Sequence, residues 1–287
     1  MIFTTAPAKV NLFLAVLGKR PDGYHEIDTL FEKISIFDNI TVDITPGNTV
    51  INCSDPSIPV DGDSLLGRTI REFKDKTGKK TNFNVNVEKN IPVSAGLGGG
   101  SSDAAALLRA LNNICGNPLQ ETDLLAIARQ LGADVPFFIK NYAFARGSGR
   151  GDIIEEVKAS YRLSHIVIKP PYGISTREVY GKVSSFDLTN KMTVDRMMTA
   201  FSSGENINSI VKNLRNDLQT IVLRDFPDLE KIFSELKKAG ALGVLLSGSG
   251  PSVFGIFQED KITQAERKIR GIFLPEDNWQ VFVAKTC

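Results

Sequence analysis

The sequence predicts an α+β protein of two domains, and three observations carry that expectation. The first third is rich in segments whose apolar residues alternate, the spacing becomes helical from Ser101 onward, and strands and helices start afresh after a glycine-rich stretch at residues 147–151. With 287 residues the chain has room for two cores of ordinary size. Strands of antiparallel type beside separate helices fit an α+β sandwich better than a doubly wound sheet.

Taken in order, Val10, Leu12, Leu14 and Val16 alternate with Asn11, Phe13 and Ala15, which predicts a strand with Lys9 and Asn11 on its opposite face. Ile40, Val42 and Ile44 repeat the pattern, as do Phe83, Val85 and Val87 between asparagines, and a helix near residues 65–73 separates the two. Ala104, Leu107, Leu108 and Leu111 fall at i, i+3, i+4 and i+7, an amphipathic helix stopped by Gly116. Ser101 and Ser102 offer hydroxyls for its N-cap, and Asp103 puts a carboxylate in the positive first turn. A helix over 122–131 buries Leu124, Ala128 and Leu131 and ends at Gly132, so residues 133–136 form a loop or turn. Residues 152–160 are the expected domain boundary, dividing the chain into 1–155 and 156–287. Beyond it come a strand at 165–168, a helix striped by Leu229, Ile232, Phe233 and Leu236, two strands flanking 247–252, a further helix, and a last strand near 280–284.

Composition narrows the function. The 42% hydrophobic and 23% charged content is that of a folding globular chain, and a net charge of +1 provides no field to gather polyanions, so neither nucleic acid nor an anionic membrane is an expected partner. No apolar run approaches the 18 or so residues of a membrane span, and the N-terminal segment reads as a strand without a basic leader, which places the protein in the cytoplasm. Three scattered cysteines and two histidines argue against a disulfide framework or a protein-held metal centre; the expected metal is Mg²⁺ arriving with phosphate.

The strongest local signal is the run Pro92, Val93, Ser94, Ala95, Gly96, Leu97, Gly98, Gly99, Gly100, Ser101 and Ser102, between a strand and a helix N-terminus. Glycines admit positive φ and close backbone approach, and the helix start supplies unpaired N–H donors, so this segment should cradle a phosphate. It matches neither G-x-G-x-x-G nor G-x-x-x-x-G-K-[ST], which disfavours a Rossmann dehydrogenase or P-loop ATPase. The turn Ser247-Gly248-Ser249-Gly250-Pro251-Ser252 lacks the spacing of a hydrolase elbow and reads either as a second substrate or phosphate loop or as a tight hairpin.

Three motifs together resemble those of the GHMP kinases, the family of galactokinase and the homoserine, mevalonate and phosphomevalonate kinases. They are Ala6-Pro7-Ala8-Lys9-Val10-Asn11-Leu12, the loop at 92–102, and LSGSGPSVFG within 243–255. The resemblance implies a GHMP fold with an S5-like N-terminal ATP-binding domain and a ferredoxin-like C-terminal domain. It also implies ATP with Mg²⁺, a small-molecule alcohol as acceptor, and a monomer or weak homodimer. Residues 20–25, 96–102 and 132–138 are similar to those of a branch whose alcohol is linked to cytidine diphosphate. Carried over position by position, Asp134 matches the catalytic base and Lys9 the basic residue beside it. Tyr24 would stack on the cytosine, His25 would hydrogen-bond its edge, and Tyr180 would cover its other face. Asn11 would meet the alcohol or diphosphate, and Lys89 the adenine or ribose. The residues alone leave Asp134 open between a base and a turn or capping aspartate, and Lys9 open to being a solvated lysine. Homoserine or mevalonate is the alternative acceptor, disfavoured by Tyr24 and His25. Ser64 stands where many relatives carry asparagine before the adenine-side helix.

Overall fold

The structure is a computed structural model that describes residues 1–159, 161–183, 194–203 and 206–287. The chain forms two compact units. Unit 1 comprises Met1–Ala8, Ile36–Ile91 and Gly98–Asn141, and unit 2 comprises Lys9–Ser35, Pro92–Leu97 and Tyr142–Cys287. The packing thus differs from a single cut at 152–160, whose last residue lies outside the described residues. Strands β1 (Ile2–Lys19) and β2 (His25–Thr45) are long enough to contribute to both units, and residues 142–159 pack with unit 2. Periodicity marks these strands but carries no sign of where along their length they change cores.

In unit 1, β3 (Val50–Cys53), which no alternation marked in the sequence, α1 (Leu65–Thr77) and β4 (Asn82–Glu88) form a crossover, so β3 pairs with β4 in parallel. The end of β2, from Asn39 to Thr45, pairs antiparallel with β4. Ser64 caps α1, its Oγ accepting from the Gly67 N–H at 3.1 Å, so the serine at this position has a local structural role. Leu66, Ile70 and Phe73 line the buried face of α1, and the Phe73 ring meets Phe83 of β4 edge-on at 6.4 Å. Helices α2 (Gly99–Ile114), α3 (Glu121–Leu131) and α4 (Val135–Ile139) complete the unit.

Two local expectations are corrected here. Helix α2 starts at Gly99 behind a left-handed Gly98 (φ 72°) and has no side-chain cap, so Ser101 and Ser102 already lie inside it; the Ser102 hydroxyl is buried without a partner. Val135 and Pro136, expected in a loop, open α4, where proline costs nothing because the first helical N–H groups have no intrahelical acceptor.

In unit 2, β5 (Phe144–Ser148) pairs with Thr29–Glu32 of β2 and turns back through 149–152 into β6 (Ile153–Glu156). Strand β7 (Ser164–Lys169) is followed by α5 (Thr176–Gly181), α6 (Asp195–Ser202), α7 (Ile207–Lys212), β8 (Arg215–Asn216), α8 (Leu218–Asp225) and α9 (Leu229–Lys238). Next come β9 (Gly243–Leu246), β10 (Val253–Phe257), α10 (Ile262–Arg270) and β11 (Gln280–Lys285). The order β11-β7-β10-β9 is antiparallel throughout. Ile166, Ile168 and Val253 of this sheet share one buried cluster with Ile232 and Leu236 of α9 and Ile269 of α10.

A polar node lies beneath that sheet. Glu32 Oε1 meets His165 Nε2 at 2.9 Å and accepts from Thr286 Oγ1 at 2.6 Å, all fully or nearly buried, which fastens the chain end to β2 and β7. Among the described residues no helix is long and apolar enough to cross a membrane.

Truncating Phe73 to alanine should remove the packing of α1 on β4 and lower the unfolding free energy by about 3–5 kcal/mol, read as a reduced urea midpoint at an unchanged slope.

Candidate active site

The site builds from β1. Lys9 leaves only 4% of its surface exposed, so it is not the solvated strand lysine that its residue type suggests. Its Nζ donates to Asn11 Oδ1 at 2.7 Å, Asn11 Nδ2 donates to Thr29 Oγ1 at 2.8 Å, and that hydroxyl donates to the Phe13 carbonyl at 2.6 Å. The chain of donors orients the amide and directs its oxygen at the ammonium. The Phe31 ring lies 5.6 Å from Nζ, adding a cation–π contact. Lys9 and Asn11, predicted to share a face, are thus joined directly, and Thr29 enters as a support that no motif signalled.

The glycine-rich run is tied to this strand and to the second glycine turn. The Lys9 N–H donates to the Leu97 carbonyl at 2.9 Å. Gly96 adopts φ 76°, and a Cβ built there would stand 2.2 Å from the Ser247 carbonyl oxygen, so no other residue fits. Ser247 Oγ donates to the Gly96 carbonyl at 3.0 Å, and the Ser252 N–H donates to the Ala95 carbonyl at 3.2 Å. A Cβ on Gly248 (φ 55°) would come within 3.2 Å of Lys9 Nζ and 3.3 Å of Asn11 Oδ1. The turn at 247–252 is therefore both the connection between β9 and β10 and a wall over Lys9. Asn216 holds it from behind, donating to the Leu246 and Gly248 carbonyls at 2.8 and 2.7 Å. Sequence reasoning missed Asn216, because nothing in β8 marks it apart from its place beside β1.

The exit of the run opens α2 in unit 1. Gly98 turns the chain with positive φ, and no side chain caps the helix, so its first-turn N–H groups and partial positive charge suit a phosphate. A Cβ on Gly99 would touch Ile91 Cγ2 at 3.0 Å and Lys89 Nζ at 3.3 Å, which explains glycine there. Asp134, in the same unit, is the residue before α4 and does not cap it with its side chain. Side-chain capping of α4 is thereby removed, and the base and turn readings both stay open.

Lys89, expected to approach adenine or ribose, turns inward instead. Its side chain is 5% exposed and its ammonium donates to Asp38 and, at 2.6 Å, to Asp103 Oδ2. Two buried carboxylates claim it, and although burial alone would lower its pKa, Asp103 and Asp38 more than reverse this and raise it.

The aromatic residues group in unit 2. His25 and Tyr180 bring their rings to 5.3 Å at a 36° tilt, which joins two of the three predicted base-binding residues. The Tyr24 ring is half exposed, with the Arg150 guanidinium 5.0 Å from its centre. Arg20 braces the turn, pairing with Asp22 at 3.1 Å and Glu26 at 2.5 Å, while its N–H donates to the Tyr24 carbonyl at 2.8 Å. Burial, then the charge of Lys19, lowers the His25 pKa, so near neutral pH the imidazole is uncharged and offers one donor and one acceptor. Arg150 was legible only as a basic residue inside the glycine-rich stretch at 147–151.

Comparison with known proteins identifies the family. The family models for the GHMP kinases N terminal domain and the GHMP kinases C terminal cover residues 64–141 and 197–273. The 4-diphosphocytidyl-2-C-methyl-D-erythritol kinase of Syntrophotalea carbinolica is 37% identical over 261 residues, 91% of each chain. That of Desulfitobacterium hafniense is 38% identical over 288 residues, covering 98% of this chain and 94% of its own. A crystal structure of 4-(cytidine 5'-diphospho)-2C-methyl-D-erythritol kinase has a TM-score of 0.81 at 31% identity, covering 99% of this chain and 98% of that one. The L. major mevalonate kinase, at 15% identity and a TM-score of 0.74 over 100% of this chain and 96% of its own, shares the fold. With two glycine turns joined over a buried lysine, both domain models matched and relatives alike along nearly the whole length, the chain belongs to the GHMP kinase family and is a small-molecule kinase that uses ATP.

Proposed function

We propose that this kinase transfers the γ-phosphoryl group of ATP to the 2-hydroxyl of 4-diphosphocytidyl-2-C-methyl-D-erythritol, a step of the non-mevalonate isoprenoid precursor pathway. The observation that carries the substrate assignment is the His25–Tyr180 ring contact beside Tyr24, an aromatic patch suited to a pyrimidine base and unnecessary for homoserine or mevalonate. The names of the full-length relatives support the same substrate.

In this reading the acceptor oxygen bonds to the γ-phosphorus, the bond from phosphorus to the ADP oxygen breaks, and the hydroxyl proton passes to the Asp134 carboxylate. Lys9, held by Asn11, offsets negative charge on the transferring group. Asn11 presents its amide to the alcohol or diphosphate end. The backbone of 92–102 carries the nucleotide phosphates, and the N–H donors at the start of α2 suit phosphate oxygens while leaving a cation to the nucleotide itself. Mg²⁺, arriving with the nucleotide and held through its phosphates, would supply neutralisation of their charge. Lys89 enters this reading as a support of the loop. The protein would work in the cytoplasm, where ATP is available, as a monomer or weak homodimer acting on a small molecule and not on nucleic acid.

The deciding experiment is ADP release from Mg-ATP with the cytidyl compound, homoserine or mevalonate as acceptor; turnover with homoserine or mevalonate alone refutes the substrate assignment. Asp134→Asn should reduce kcat by about 10²–10⁴-fold with ATP affinity retained, measured by steady-state kinetics and nucleotide titration. His25→Ala should raise KM for the cytidyl substrate roughly tenfold and leave KM for ATP alone, the cost of one lost ring and hydrogen-bond contact. Gly96→Val, by driving a side chain into the Ser247 carbonyl, should abolish ATP binding measured by titration calorimetry.

A further inference from the structure

The chain leaves unit 1 at Ile91 and re-enters it at Gly98, and three buried charged residues span those two points. Asp38 Oδ1 accepts from the N–H groups of Asn90 and Ile91 at 2.6 and 2.8 Å, fixing the departing strand, while its Oδ2 accepts from Lys89 Nζ. Lys89 Nζ reaches on to Asp103 Oδ2, on the second turn of the returning helix α2. Side-chain exposures are 0% for Asp38, 5% for Lys89 and 4% for Asp103. The glycine loop therefore stands on a stem whose two sides are joined by one ammonium.

The charges on that stem do not balance if both carboxyls are ionised. Two carboxylates share one ammonium, which leaves a surplus negative charge out of water and next to the helix start that is to receive polyphosphate. Asp103 Oδ1 is buried with no hydrogen-bond donor among the described residues, a position that an ionised oxygen tolerates poorly and a protonated one better.

We propose that Asp38, Lys89 and Asp103 form a clasp holding one shared proton, with Asp103 in its neutral acid form, and that this neutrality positions the loop to accept the nucleotide phosphates. All three are positioning residues, and the link to phosphate rests on the nucleotide-loop reading above. Burial is the main force on Asp103, raising its pKa to about 8; the Lys89 ammonium opposes this, and Asp38 adds to it as a like charge and hydrogen-bonding neighbour. The other groups acting on this cluster are Cys53 on β3 and Asp55 after it. Cys53 is pushed upward by burial, Asp55 downward by Ser57, and Lys89 upward, so all three titrate outside the interval between an ordinary aspartate and Asp103.

The sign of the stability effect follows. Folded Asp103 binds a proton that the unfolded chain releases near pH 4, so its contribution to stability is complete below that pH and declines as the pH rises toward about 8. In the full-length protein without nucleotide, Asp103→Asn should gain melting temperature over wild type progressively from pH 5 to pH 8 and level off above. The infrared carbonyl band of a protonated carboxyl, present in wild type at pH 7, should vanish by pH 9, and it decides the matter even if the variant does not fold. With nucleotide, wild-type affinity for Mg-ADP should fall about tenfold from pH 7 to pH 9 and stay level in Asp103→Asn. A constant melting difference together with no carboxyl band overturns the clasp. A pH-dependent melting difference with no nucleotide binding at any pH supports the shared proton and overturns its tie to phosphate, along with the nucleotide-loop reading. Equal pH dependence of binding in both proteins overturns the positioning role alone.

Discussion

The backbone of Gly96 lies against the Ser247 carbonyl at a separation that excludes any Cβ, and the packing around Lys9 in unit 2 is organised around that approach. Once the two turns meet, Ser247 Oγ and the Ser252 N–H saturate the carbonyls of Gly96 and Ala95. Asn216 fixes the second turn from the β8 side, and Gly248 closes over Lys9 and Asn11. Gly96 is there because another main chain occupies the space a side chain would need, and Gly248 because the Lys9 and Asn11 side chains do. In the proposed function this bracing would matter for phosphate, because a loop braced by another loop has less entropy left to lose on binding.

Buried charge is handled differently in each part of the molecule. Lys9 donates to a neutral amide whose orientation is dictated by Thr29. Lys89 is the opposite case. Its charge is enclosed between Asp38 and Asp103 and serves the geometry of the stem. Glu32 and His165 form a third arrangement, in which a buried pair and Thr286 hold the last residues of the chain onto β2 and β7. Two lysines that look alike in sequence thus take different parts because of their neighbours in space.

The aromatic patch shows how a weak sequence signal is strengthened by folding. Tyr180 lies more than a hundred residues from His25, yet α5 brings its ring to 5.3 Å from the imidazole. Arg150 approaches Tyr24 from the turn between β5 and β6. Base recognition of the kind proposed needs flat, partly exposed surfaces with a polar edge, and in that proposal the uncharged His25 would supply the edge.

By itself the sequence determined the element types, the glycine runs and the identity of the motif residues. Alternation in β1, the i, i+3, i+4, i+7 stripe of α2 and the stripe of α9 are local patterns that burial enforces wherever the segment packs. The motifs at Lys9, 92–102 and 243–255 likewise sufficed for the family, since they record backbone conformations that few residues permit. Only the tertiary structure decided where β1 and β2 change cores, because a strand pattern looks the same in either. It also decided the parallel pairing of β3, which follows from the α1 crossover, and the earlier start of α2, which follows from the left-handed turn at Gly98. The fate of Lys89 was settled in the same way: its two carboxylates lie 51 residues before it and 14 after it, and electrostatic pairing depends on distance through space, which one-dimensional spacing does not contain.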